Sequence, residues 1–352
     1  MQAALEAMAE RVRAAAQGAQ PLRPRGGGSK DFYGNELAGE PLDTRAYAGL
    51  VNYEPSELVV TARCGTPLAE LERVLAANAQ MLAFEPPHFG PGATLGGCVA
   101  AGLSGPRRAS AGALRDFVLG ARLLDGRGRV LAFGGEVMKN VAGYDVSRLL
   151  AGSLGTLGVI LDVSLKVLPR PVAETTLRLE APQDKALEWM NQWAGKPLPI
   201  SATCYLNGEL SLRLSGAAAA VRSARETLGG EEIRDGEALW SAVREQTHPH
   251  FAPEAPLWRL SLPSNAPPLR LPGEELIEWG GALRWLSSAA EARTIRAAAQ
   301  RAGGHATLFR ARDKSPGAFP PLAPAHMKLQ RELKAVFDPG RIFNPGRLYP
   351  DQ

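Results

Sequence analysis

Gly152-Ser153-Leu154-Gly155-Thr156-Leu157-Gly158 is the last of three glycine clusters whose reading decides the fold. The other two are Arg25-Gly26-Gly27-Gly28-Ser29 and Pro91-Gly92-Ala93-Thr94-Leu95-Gly96-Gly97. Successive small residues let a backbone bend sharply and approach a ligand closely. Exposed N–H groups in such turns form a concave nest for an anion such as pyrophosphate, and Arg25 and Ser29 add a charge and a hydroxyl. One cluster by itself reads as a tight turn. Three clusters, two of them leading into apolar segments, favour an anion cradle. Two familiar phosphate motifs are excluded. There is no G-x-x-x-x-G-K-[ST]. Nor does a G-x-G-x-x-G join a strand to a long helix, because Asp31-Phe32-Tyr33-Gly34 breaks helical character after the first cluster.

Outward from the clusters, the first half reads as mixed helix and strand. Leu58 to Ala62 is strand-like, Thr66 offers an N-cap and Pro67 a first helical residue, and Leu68, Leu71, Val74 and Leu75 share a helical face. Met81 to Phe84 reads as the next strand. Phe117 to Leu124 and Val130 to Phe133 flank the hairpin signal Asp125-Gly126-Arg127-Gly128. Leu161, Val163, Leu165 and Val167 alternate with Asp162, Ser164 and Lys166, a half-buried strand that Pro169 and Pro171 end. Past Pro171 the composition changes: all six tryptophans lie there. Thr175 to Leu179, Pro182 to Trp193, Ile200 to Leu206, Leu210 to Leu214 and Ala217 to Leu228 predict a β-α-β-β-α order with a hairpin at Asn207-Gly208. That order resembles a ferredoxin-like unit. No short-period repeat is evident.

A chain of 352 residues is comfortable as two domains. Its 45% hydrophobic and 22% charged residues are globular composition. Forty lysines and arginines against 36 acids give a formal charge of +4, interspersed along the chain, so no nucleic-acid surface is expected. The three cysteines, Cys64, Cys98 and Cys204, are isolated, which excludes a thiol-built zinc or iron–sulfur site and fits a reducing compartment. Glu6, Glu10, Arg11 and Arg13 interrupt any signal-peptide core, and no window approaches the roughly 20 apolar residues of a membrane span. A cytoplasmic chain, at the inner membrane only through partners, is the expectation.

The order and wording of the glycine segments resemble the FAD domain of the vanillyl-alcohol oxidase and p-cresol methylhydroxylase (PCMH) family. The run Val137 to Pro171, the N-terminal stretch around RPRGGGSKDFYG and the C-terminal Phe343-Asn344-Pro345-Gly346 are most similar to FAD-binding subunits of bacterial glycolate oxidases. Met138 to Asp145 is familiar from the branch that oxidises 2-hydroxy acids. The resemblance implies an α+β, two-domain PCMH-type fold: an FAD-binding domain over 1–171, a ferredoxin-like α+β cap domain over 172–320 and a C-terminal segment, 321–352, returning to the first. It implies that Arg25, Gly26, Gly27, Gly28 and Ser29 cradle the pyrophosphate. Ala93, Thr94, Leu95, Gly96 and Gly97 would line the flavin. Gly152, Ser153, Gly155, Thr156, Leu157, Gly158 and Ile160 would contact the adenosine side, and Asn344 would lie near the flavin ring.

Three departures matter. No histidine or cysteine stands in the first glycine loop, where some relatives attach flavin covalently, so non-covalent FAD is expected. The H-x-G-D-G-N-x-H segment that helps stand-alone 2-hydroxy-acid dehydrogenases hold a divalent metal is missing. His248 and His250 read as a solvated loop, His305 as a structural or surface residue, and His88 as a turn or site residue. Finally, Leu154 replaces the family's acidic residue in the third cluster. No catalytic base and no metal ligand is assigned. The expectation is one subunit of a glycolate oxidase complex, with a larger FAD-containing subunit and an iron–sulfur subunit as partners and a small 2-hydroxy acid as substrate. The alternatives are an independent flavin oxidoreductase on another substrate and a non-catalytic FAD-binding scaffold.

Overall fold

The computed structural model describes residues 2–135, 145–252 and 254–350. Of the Met138–Asp145 segment singled out above, only Asp145 lies within them. The first half contributes β1 (Leu22–Arg25), β2 (Glu40–Asp43), β3 (Leu50–Glu54), β4 (Val59–Arg63), β5 (Gln80–Met81), β6 (Val118–Leu124), β7 (Val130–Gly134), β8 (Val159–Lys166) and β9 (Leu168–Pro169). A parallel β1–β2 pair leads into a five-stranded sheet of order β3-β4-β8-β6-β7.

β8 differs from its expected half-buried character: Val159 to Val167 is buried almost throughout, Asp162 and Ser164 included. It is the central strand, paired with β4 and β6. A polar residue there survives only with a partner. Asp162 receives Arg122 Nε at 2.8 Å, and Ser164 Oγ lies 2.8 Å from Thr61 Oγ1. Two boundaries also move. The helix Leu68–Ala76 is preceded by Pro67 rather than capped by Thr66, whose hydroxyl instead accepts from Gly49 N at 2.9 Å. The strand expected to reach Phe84 stops at Met81. The helix Gln2–Gln17 buries Met8, Ala9, Val12 and Ala15 against the same core.

The second half contributes β10 (Ala173–Glu180), β11 (Ile200–Leu206), β12 (Glu209–Gly216), β13 (Glu231–Glu232), β14 (Leu257–Ser261), β15 (Glu274–Glu278), β16 (Leu283–Ser287) and β17 (His305–Arg310). They form one eight-stranded sheet of order β13-β10-β12-β11-β15-β16-β14-β17. Numbered locally, β10 to β13 run in the order 4-1-3-2 and β14 to β17 in its mirror, 2-3-1-4. The ferredoxin-like order thus occurs twice, joined edge to edge where Cys204 pairs with Glu278 and Tyr205 with Ile277. Sequence periodicity gave no hint of this duplication. The halves share a topology, and their helices differ: Gln183–Ala194 and Ala218–Leu228 in the first, Ala292–Arg301 in the second.

Polar latches join the two sheets' layers. Arg213 of β12 reaches Glu85 at 2.8 Å, and Arg107 reaches Glu85 at 3.3 Å and Glu174 at 2.9 Å. Burial by itself would raise the Glu85 carboxyl, but the Arg213 and Arg107 guanidiniums outweigh it and hold Glu85 below its ordinary value. Glu245 accepts the N–H groups of His88 and Phe89 at 3.0 and 2.9 Å. Tyr33, Ala101 and Leu103 from the first half pack in one apolar cluster with Trp240, Trp279, Trp285 and Phe309 from the second.

Candidate functional site

The first glycine loop leaves β1 and lies directly against the second. A Cβ on Gly27 would sit 1.5 Å from the carbonyl oxygen of Gly92, and one on Gly26 would sit 2.1 Å from Thr94 Oγ1. Only glycine permits two backbones to lie this close. None of the N–H groups of Gly27, Gly28 and Ser29 donates to another backbone group among the described residues. They are available as a nest for an anion. Thr94 caps the short helix Leu95–Ala101 by accepting from Gly97 N at 3.3 Å.

Two adjoining clefts run between the clusters. The first is lined by Arg25 through Ser29, Thr94, Gly97 and Asn344. The second shares Arg25, Gly26 and Gly97 and adds Gly96, Gly155, Gly158 and Ile160. Six other sequence-selected residues line neither. Ala93, Leu95 and Leu157 are in the first core. Gly152 N donates to Val99 O. Ser153 and Thr156 spend their hydroxyls on the carbonyls of Leu150 and Ser153, both at 2.8 Å. These residues shape the third turn from behind.

The structure adds residues that sequence reasoning had not placed in the site. Arg23, Lys30 and Arg347 join Arg25 at the first cleft, and Leu154 lines both clefts. Arg347 follows Asn344-Pro345-Gly346 directly, and that proximity is the signal that could have found it. Burial lowers Arg347 to about 10, which still leaves it charged at neutral pH. It donates to the carbonyls of Asp31, Tyr33 and Asn35, while Lys314 donates to those of Phe32 and Gly34. Two cations thereby fix the loop that follows the first cluster. Burial brings Lys314 down to about 8.

Two polar atoms in the first cleft are buried without a partner: Arg23 Nε and Asn344 Oδ1. Asn344 is otherwise anchored, its Nδ2 donating to Leu154 O at 2.7 Å. Orphaned buried polar atoms are rare and ask for an explanation. Free amide N–H groups, a glycine cradle, four surrounding cations and two unsatisfied polar atoms fit an elongated, doubly charged dinucleotide such as FAD.

The histidines fall elsewhere. His88 Nε2 lies 2.9 Å from Glu72. His305 begins β17 at the surface. His250 corrects its reading as a solvated residue: it is 2% exposed, with Nδ1 3.2 Å from Glu274 and Nε2 3.1 Å from Trp285 O. Two ring nitrogens with two partners let a histidine sit inside. Among the described residues no group of three or more His, Cys, Asp or Glu could hold a metal ion.

A further small cavity lies where the second sheet faces Phe89 and Gly105, with Arg259, Glu278, Trp285 and Phe309 in its wall. Glu278 is 3% exposed; its Oε2 accepts from Trp285 Nε1 at 2.8 Å and its Oε1 has no partner. Burial pushes this carboxyl from 4.5 up to about 7. A carboxyl raised in the folded state contributes stability that is complete below its unfolded value of about 4.3 and is lost as pH rises through the folded value. Glu278→Gln is therefore expected to raise the melting temperature over the parent by a few degrees at about pH 8.5, with little gain at about pH 4.5. Thermal melts at both values check this, and a gain that does not grow with pH would refute the assignment.

Among the described residues no helix is long and apolar enough to cross a membrane. The FAD binding domain family matches residues 3–134. The chain is 51% identical over 346 residues to glycolate oxidase subunit GlcE of Escherichia coli (strain K12), covering 98% of this chain and 97% of that protein. It is 30% identical over 160 residues to glycolate oxidase subunit GlcD of Bacillus subtilis (strain 168), 45% of this chain and 34% of that protein. It is 32% identical over 188 residues to a D-lactate dehydrogenase of Archaeoglobus fulgidus, 51% of this chain and 41% of that one. A solved alkyldihydroxyacetonephosphate synthase superposes with a TM-score of 0.69 at 17% identity, over 97% of this chain and 75% of that structure, which shows the shared fold. With its FAD binding domain, its PCMH-type fold and 51% identity to one relative along nearly its whole length, the chain belongs to the GlcE family of glycolate oxidase subunits, within the FAD-dependent oxidoreductases.

Proposed function

We propose that this chain is the FAD-binding subunit of a glycolate oxidase complex, working with a larger FAD-containing subunit and an iron–sulfur subunit in the cytoplasm or at the inner membrane face. The observation that carries the reading is the glycine-cradled, cation-lined cleft in a chain so close in sequence and length to GlcE. The net reaction removes two electrons and two protons from a small 2-hydroxy acid, converting glycolate to glyoxylate. The electrons leave through the iron–sulfur partner. When bound, FAD supplies the two-electron chemistry. The chain's own residues hold and orient it. Arg25 and the N–H groups of Gly26 to Ser29 take the pyrophosphate. Thr94 and Gly96-Gly97 wall the cleft beside it, and Gly155, Gly158 and Ile160 bound the adenosine end. Asn344 Oδ1 and Arg23 Nε gain the partners they lack. The reading keeps the division into 1–171, 172–320 and 321–352, and binding is non-covalent, since Lys30 follows Ser29 where a linking residue would stand.

The test is an anaerobic absorbance spectrum of the purified chain before and after glycolate, alone and with partner subunits. Yellow protein that bleaches only with partners is the expected result. Bleaching of the isolated chain at a full enzymatic rate would make it an independent oxidoreductase, and a chain that takes up no FAD would refute the reading.

A further inference from the structure

Lys30 ends the first glycine loop and lines the first cleft. The second cleft, at the adenosine end, shares Arg25 and Gly26 with the first but none of residues 27–30. Lys30 therefore stands beyond the nest, at the end of the first cleft away from the adenosine. There, at Ser29, the cleft meets a broad opening of about 640 Å³ between the two halves of the chain, with Phe32, His88, Phe89 and Arg310 in its wall. Phe32 and Phe89 meet edge to face, 5.4 Å between centroids. Of the parts of FAD, the flat ring system suits such an aromatic wall, and the pyrophosphate suits the nest.

The Lys30 ammonium is fixed by uncharged groups. Its Nζ donates to His88 O at 3.1 Å and to Ser29 Oγ at 3.4 Å, and lies 5.6 Å from the centroid of the Phe89 ring. It forms no ion pair among the described residues. Arg25, by contrast, is paired with Asp31 at 3.0 Å. Glu245, the acid that faces Lys30, is committed to the N–H groups of His88 and Phe89. Cys98 beside it is pushed up to about 12 by burial, so at neutral pH it is an uncharged thiol and supplies no counter-charge. Burial lowers Lys30 from its ordinary value, the mark of a cation short of compensation. Such a charge acts strongly on a neighbouring anion, because little water screens it.

We infer that Lys30 raises the reduction potential of the bound flavin by holding its reduced, anionic form more tightly than its oxidised form. The inference rests on the FAD reading above. The oxidised ring is neutral; two electrons and one proton convert it to a singly negative ring. In the complex both electrons and that proton come from the 2-hydroxy acid, whose second proton passes to solvent. The pyrophosphate carries the same charge in both states. A group that touched only the pyrophosphate would bind both states equally and leave the potential unchanged, since only differential binding shifts an equilibrium.

The experiment is an anaerobic redox titration of the FAD-loaded full chain with dithionite and a reference dye, together with binding of oxidised and of dithionite-reduced FAD to the FAD-free chain. Lys30→Met is expected to weaken reduced FAD about tenfold more than oxidised FAD, a fall in midpoint potential of about 30 mV for a two-electron couple. Lys30→Gln, which keeps a donor without the charge, should fall likewise, and Lys30→Arg, which keeps the charge, should stay near the parent. The parent's potential should change by about 30 mV per pH unit above neutrality, one proton per two electrons; a slope of about 60 mV would mean a neutral reduced ring and overturn the inference. Melting curves establish that each variant is folded. Equal losses for the two forms, a variant that holds neither included, would make Lys30 a pyrophosphate ligand and overturn it too. The two readings fail distinguishably. A parent chain that takes up no FAD defeats both. A potential unmoved in yellow Lys30→Met protein defeats the Lys30 role alone, and a lowered potential in a complex that never oxidises glycolate defeats the oxidase reading alone.

Discussion

Lys334→Met is expected to cost about 3–5 kcal/mol, the range for breaking a buried ion pair by removing one partner. Lys334 is 3% exposed on the last turn of the helix Pro324–Phe337, and Asp338 beyond it is fully buried. The ammonium meets Asp338 Oδ2 at 2.8 Å, Thr156 O at 2.7 Å and Phe343 O at 2.6 Å. Its three donors thus hold the third glycine cluster to the C-terminal strand-like segment that carries Asn344. Asp338 also accepts the N–H groups of Ile342 and Phe343 at 3.1 and 2.8 Å. Methionine fills much of the lysine's space but leaves the buried Asp338 carboxylate with its two N–H donors and no counter-ion, and two buried carbonyls without the ammonium. Chemical denaturation measures the loss. Adding Asp338→Asn, which removes the stranded charge and keeps an acceptor, should recover part of it. A loss below about 1 kcal/mol, the scale of an exposed pair, would refute the role.

Gly27→Ala is expected to give protein that folds and purifies almost colourless. The new Cβ would lie 1.5 Å from Gly92 O and 2.3 Å from Gly92 C, both backbone atoms, so no side-chain rotation relieves the clash and the two loops must part. Parting them widens the nest and turns its N–H groups. FAD affinity should fall by more than about a hundredfold, since two or more charge-assisted hydrogen bonds of about 1.5–3 kcal/mol each lose their geometry. Ala93 and Leu95, just after Gly92, belong to the first core, so the FAD-free chain should lose some melting temperature while still unfolding cooperatively. Gly135→Ala is the control, because a Cβ there meets nothing within 4 Å. FAD content after gel filtration and a fluorescence titration decide the matter; an alanine variant as yellow as the parent would show that the two-loop contact does not form the cradle.

The amino-acid sequence by itself determined the local parts. Glycine runs are legible because their cause is local: only residues without a Cβ allow the approach between residues 26–27 and 92–94, and Gly28 and Gly155 adopt positive φ. The Asn207-Gly208 hairpin and the strands either side of it are legible for the same reason, since turn chemistry and period-two patterning act within a few residues. The cleft itself depended on chain segments meeting from far apart. Arg347 reaches the carbonyls of the loop at 31–35, and Lys334 reaches Thr156. Tertiary structure alone also decided the burial of both faces of β8, because strand order, not pattern, placed it at the sheet's centre. It placed His250 inside by supplying Glu274 and Trp285 as partners. It likewise set Arg259 and Glu278 in one cavity. Each is an ordinary charged residue in its own strand, and only the β14-β16-β15 neighbourhood joins them, because desolvation and pairing are properties of what the whole fold brings together.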